Sequence, residues 1–109
     1  MYPMQQDQQA GAPGTARFAL ADNPAQGRYE LKADGELAAW AEYRRDGDVV
    51  RFTHTEVKEA YEGQGLASRL AAFAFDEARR QGLRAVPQCP FMAGYVERHR
   101  EYADLLPPR

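Results

Sequence analysis

The chain has 109 residues, room for one ordinary domain and a single core but not for two. Fourteen Lys and Arg against sixteen Asp and Glu leave a formal charge of −2, which excludes a global basic field for nucleic acid or an anionic membrane. A hydrophobic content of 44% and a charged content of 28% fit a folded globule, and the lone Cys89 excludes an internal disulfide and a cysteine-cluster zinc site.

Residues 1–16 are rich in Gln, Gly, Pro and Ala without helical or strand periodicity, so a loose tail is expected ahead of one domain over 17–109. Met1 to Gly14 lacks the basic start and apolar middle of a signal peptide, and no apolar stretch approaches the roughly 20 residues of a membrane span. The cytoplasm is the expected address. From Arg28 the chain alternates, with Tyr29 and Leu31 between charged neighbours, and Ala33, Asp34 and Gly35 form a turn. Leu37 to Tyr43 reads as the second strand and Asp46 to Asp48 as the second turn. Val49 to Val57 reads as the third, with Val50, Phe52, His54 and Glu56 on one face and Val49, Arg51, Thr53, Thr55 and Val57 on the other.

The period then changes from two to nearly four. Leu66, Leu70, Phe73 and Ala74 make the apolar stripe of a helix of four to five turns, ended by Gly82 with Arg79 and Arg80 in its last turn. Leu83 to Cys89 is expected as a short strand closed by Pro90, and Phe91 to Tyr102 as a second helix. The predicted order is βββαβα, an α+β fold (α/β sandwich) with at least one crossover.

The stretch richest in chemistry is Val57 to Ser68, VKEAYEGQGLAS. Here a strand runs into a helix through Gly63, Gln64 and Gly65, so the free amides and positive dipole end of the helix point back at a glycine turn. That is a local anion seat, to which Leu66 and Ala67 add amides and Ser68 a hydroxyl. The turn is not a P-loop, since no Lys follows the second glycine, and the antiparallel strands before it make no dinucleotide-binding βαβ unit.

The run from Val57 through Glu62, Gly63, Gln64, Gly65, Leu66 and Ala67 resembles motif A of the GNAT superfamily of N-acetyltransferases, written Gln/Arg-x-x-Gly-x-Gly/Ala. Gly65 and Ala67 match; Glu62 stands where the family carries Gln or Arg. With RFTHT before the loop, PQCPF after the helix and a Tyr-rich C-terminal segment, the chain is similar over residues 17–106 to the small YjdJ-type, minimal GNAT-like group. The resemblance implies a mixed sheet splayed open between the strand ending near Val57 and the one ending near Cys89. It implies acetyl-CoA in that opening, the pyrophosphate on the amides of Gly63 to Ala67 and the pantetheine arm along Thr55 to Val57.

Acyl transfer needs a neutral amine, a polarised thioester carbonyl and a proton for the departing thiolate. Tyr95 falls where the family's last helix commonly carries a tyrosine near the sulfur, which implies a general acid; a core tyrosine is the other reading. Cys89 precedes a helix start, where the dipole favours a thiolate, or it is a packed thiol. His54, the histidine nearest the opening, has the intrinsic chemistry to collect an amine proton, or makes a structural hydrogen bond. Glu56 and Glu59 flank the opening, His99 is assigned to packing or solvent, and Arg79, Arg80 and Arg84 to the helix dipole and solubility. The expected reaction is acetyl transfer to an amine by direct attack in a ternary complex, with an acetyl-thiol route through Cys89 as the variant. The alternatives are a noncatalytic module binding CoA or another phosphorylated ligand, and a protein-interaction domain. The acceptor is open between a protein lysine, a polyamine and a metabolite amine, and the oligomeric state is equally open.

Overall fold

A computed structural model of the chain describes residues 17–108; the tail expected at residues 1–16 lies outside them. Five strands, β1 (Phe18–Asn23), β2 (Arg28–Ala33), β3 (Glu36–Asp46), β4 (Val49–Val57) and β5 (Arg84–Pro87), form one sheet in that order. The first four are antiparallel neighbours. β5 pairs in parallel with β4, which it reaches through the crossover helix α1 (Leu66–Arg80). The mixed sheet and flanking helices are the α+β class expected.

The sequence reading found three of the four antiparallel strands and missed β1. This edge strand is short and largely exposed, and what holds it is its full six-residue ladder with β2. Arg17 extends that ladder, its carbonyl accepting from Asp34 N–H at 2.8 Å.

A second difference concerns the faces of β4. Glu42 pairs with His54 but Tyr43 pairs with Phe52, so Thr53 is an extra residue with no partner of its own. Such a bulge shifts the alternation by one. Val50 and Phe52 are fully buried, whereas His54 and Glu56 are half exposed on the opposite face, alongside Trp40 and Glu42 of β3. The expectation that Val50, Phe52, His54 and Glu56 share one face is corrected accordingly.

Helix α1 buries Leu66, Leu70, Ala71, Ala74, Phe75 and Ala78 against the apolar face of the sheet. The Phe75 ring lies 5.1 Å from Phe52 and edge-on to it, and Phe73 lies 5.6 Å from Tyr29. Its end is a Schellman motif: Leu83 N–H reaches Ala78 O at 2.8 Å and Gly82 N–H reaches Arg79 O at 3.1 Å. β5 is shorter than the Leu83 to Cys89 expected, because the amides of Gln88 and Cys89 both turn onto Phe52 O, at 3.0 and 2.9 Å. Helix α2 (Pro90–Arg98) packs on the same face as α1, Tyr95 stacking on Phe75 at 6.1 Å.

The second helix is also shorter than the Phe91 to Tyr102 expected. It stops at His99, whose backbone (φ −128, ψ 74) is not helical, and a 3-10 helix over Arg100–Leu105 follows. The break lets Tyr102 donate to Asp76 of α1 at 2.8 Å. Arg79 and Arg84 anchor this segment, which the dipole assignment did not foresee. Arg79 makes a two-pronged pair with Asp104 at 2.9 Å, and Arg84 donates to Asp104 O at 2.9 Å. Both helices thus lie on one side, and among the described residues no helix covers the other face of the sheet.

Candidate active site

β4 and β5 stay paired only from Val49 with Arg84 to Phe52 with Pro87. Beyond that point β4 continues through Val57, paired with β3 alone, while the other chain turns away at Gln88 and Cys89. The sheet therefore splits at Phe52, and residues 53–57 of β4 present an edge to the gap. Thr55 and Val57 lie on this edge.

Past a 3-10 turn over Glu59–Tyr61 the chain reaches the glycine loop. Gly63 has φ 83 and Gly65, the residue capping α1, has φ 73, a left-handed backbone that a side chain would strain. A Cβ at either position would meet nothing within 4 Å, so the loop's outer surface is open. No side chain caps α1, and its first ladder bond is Arg69 N–H to Gly65 O at 3.2 Å. Among the described residues no protein acceptor takes the N–H of Gly63, Gln64, Gly65, Leu66, Ala67 or Ser68. Six main-chain donors at the positive end of a fifteen-residue helix fit a pyrophosphate, which needs oriented donors and no single cation. The side chain of Leu66 is 1% exposed, so only its backbone belongs to the seat.

At the root of the split, Thr55 and Cys89 meet, Oγ1 to Sγ at 3.3 Å. Cys89 is also the cap of α2, its sulfur accepting Met92 N–H at 3.4 Å. The thiol thus sits at a helix N-terminus, 6% exposed, with a hydroxyl and an amide on its sulfur. His54 points to the helix-free face, Nε2 at 2.8 Å from Glu56 Oε1. The carboxylate orients the ring and leaves Nδ1 without a partner among the described residues. Tyr95 lies in the second turn of α2, 6% exposed, between Phe91 and His99, whose ring stacks on it at 4.0 Å. Burial, with Glu101 and Asp76 adding to it, raises its phenol above the usual tyrosine range, so it holds its proton at neutral pH.

The structure therefore joins Thr55 to Cys89 and His54 to Glu56. No hydrogen bond among the described residues links either pair to Tyr95. The sequence reading missed Thr53, Glu42 and Arg44, which line a recess beside the helix-free face.

A five-stranded mixed sheet split beside a glycine-loop helix N-terminus is the architecture of an acyltransferase of the GNAT type. Residues 28–105, most of the chain, match the model of the GCN5-related N-acetyl-transferase family. The protein belongs to that family. Among curated proteins it is 36% identical to Protein NATD1 of Mus musculus over 62 residues, 55% of this chain and 56% of that protein. Protein NATD1 of Homo sapiens matches equally, over 55% of each; the chain thus spans about half the length of the curated relatives it matches. Among solved structures, a GCN5-like protein from Staphylococcus aureus superposes with a TM-score of 0.64 at 20% identity, covering 84% of this chain and 89% of that one. N-acetylglutamate synthase from Neisseria gonorrhoeae, complexed with coenzyme A and N-acetyl-glutamate, gives 0.52 at 23% identity over 66% of this chain and 18% of its own. These two establish the fold.

Proposed function

We propose that the protein is an acetyl-CoA-dependent N-acetyltransferase that passes the acetyl group directly to an amine while both substrates are bound. The observation that carries this reading is the set of unengaged amides at residues 63–68 beside the split of β4 from β5. Acetyl-CoA supplies the activated thioester. The chain's part is to seat the diphosphate on those amides, to align the arm along Thr55 to Val57, and to manage two protons. His54, held by Glu56, takes the proton released as the carbon–nitrogen bond forms. Tyr95 gives its phenolic proton to the sulfur as the carbon–sulfur bond breaks, a donation that burial keeps possible at neutral pH. The contact of Thr55 with Cys89 supports a second route, in which the thiol of Cys89 carries the acetyl group first.

Acetyl-CoA is expected to raise the melting temperature. A ligand present at a hundred times its dissociation constant adds about 2.7 kcal/mol to the native state, roughly 10 °C or more for a domain of this size. Thiol release with primary amines should follow. An unchanged melting temperature at millimolar acetyl-CoA would remove the reading.

A further inference from the structure

Beside the helix-free face lies a recess of about 510 Å³, lined by Glu42, Tyr43, Arg44, Thr53 and His54 together with Gln26 and Gly27 of the β1–β2 turn. It lies over the Thr53 bulge, between the β1–β2 turn and β4, and His54, in its lining, belongs to the stretch of β4 that has parted from β5.

Its charges form two poles. Arg44 stands directly opposite Arg51 across the β3–β4 ladder. Like charges in that arrangement weaken a strand pair, and neither guanidinium meets a carboxylate among the described residues, whereas Arg28, which faces Glu42 from β2 and lies over Trp40, is held by Glu30 at 2.8 Å. On the same face come Glu42 opposite His54 and then Trp40 opposite Glu56. Glu42 accepts from Trp40 Nε1 at 3.0 Å through one oxygen, which leaves the other for a ligand. Residues two apart on one face of a strand are about 7 Å apart. A cationic pole and an acidic pole at that spacing suit a small molecule with an amine at one end and an anion at the other. A polyamine or a lysine side chain would set its charge against Arg44 and Arg51 with no gain.

We propose that the acetyl acceptor is a small amine bearing a carboxylate or phosphate, the anion held by Arg44 and Arg51 and the amine delivered to Glu42, His54 and Glu56. This rests on the transferase reading above. Planar guanidinium groups recognise both anions by paired, charge-assisted hydrogen bonds.

Thiol release from saturating acetyl-CoA is measured with matched amines: glycine and glycinamide, O-phosphoethanolamine and ethanolamine, 4-aminobutyrate and putrescine. The anionic member should show a kcat/KM at least about tenfold higher in one pair or more and lower in none; the pair that responds separates carboxylate from phosphate. Replacing both arginines, Arg44→Gln with Arg51→Gln, should bring that ratio close to one. Because it relieves a repulsion, the melting temperature should hold or rise, so a collapsed ratio reports recognition and not unfolding. Preference for the neutral or cationic members, a ratio unmoved by the double substitution, or no turnover of any pair overturns the proposal. If acetyl-CoA still stabilises the protein in those cases, the cofactor seat stands and only the acceptor assignment falls; if it does not, both fall.

Discussion

The hydroxyl of Tyr95 has no hydrogen-bond partner among the described residues, although its ring is packed on Phe75, Phe91 and His99. Removing that oxygen therefore costs the fold almost nothing, and any large effect belongs to the reaction. Tyr95→Phe should lower kcat about a hundredfold, the lower end of what a positioned general acid contributes. The acetyl-CoA affinity and melting temperature should stay at the parent values. Steady-state rates beside a thermal scan decide it, and a kcat within twofold of the parent takes Tyr95 out of the chemistry. At this scale His54, Cys89 and Tyr95 could be singled out in the sequence as reactive side chains on the elements beside the split, their roles being the proposal above. The facing of Arg44 to Arg51 could not, because two residues seven apart become partners only once the hairpin register is set.

Elements were legible where a pattern had one interpretation. The helix from Leu66 and its stop at Gly82 appear in the structure as read, with the stripe corrected at one place: Phe75 is fully buried and Phe73 only half-buried. The bulge at Thr53 and the helix break at His99 were not anticipated, since a period-two or period-four pattern carries through a one-residue slip with little change in composition. Tyr95 and Tyr102, seven apart, look like two turns of one helix whether or not His99 breaks it. The entry to α2 gives the prediction for this scale. Cys89 caps that helix with its sulfur, and serine is the better cap. Cys89→Ser should keep the melting temperature at or above the parent's, whereas Cys89→Ala should lose about 1 kcal/mol of stability with the cap. If transfer is direct, the serine variant keeps turning over and its initial-rate plots intersect. Loss of turnover in a fully folded serine variant would move the acetyl group onto the thiol instead.

The molecule as a whole is held by one aromatic layer between sheet and helices, and that layer sets its behaviour in alkali. Four of the six tyrosines are held above their ordinary range, burial being the first cause for each: Tyr29, Tyr43, Tyr95 and Tyr102, the last pushed up to about 12. Unfolded, each loses its proton near pH 10. Below that pH both states are protonated and the stability is intact; above it the unfolded chain ionises first and stability falls until the native phenol titrates too. Each such tyrosine removes up to about 1.4 kcal/mol per pH unit, so several together make the alkaline transition steep. Tyr29 isolates the effect, for it is 2% exposed and its hydroxyl has no partner among the described residues. Its ring lies 4.6 Å from that of Tyr43, a contact phenylalanine keeps. Tyr29→Phe should be close to neutral at pH 7 and stabilising by about 1.4 kcal/mol at pH 11, read from urea midpoints at the two pH values. Equal midpoint shifts at both would mean that the Tyr29 phenol ionises as readily in the folded protein as in the unfolded chain, and the aromatic layer would then not be closed to water.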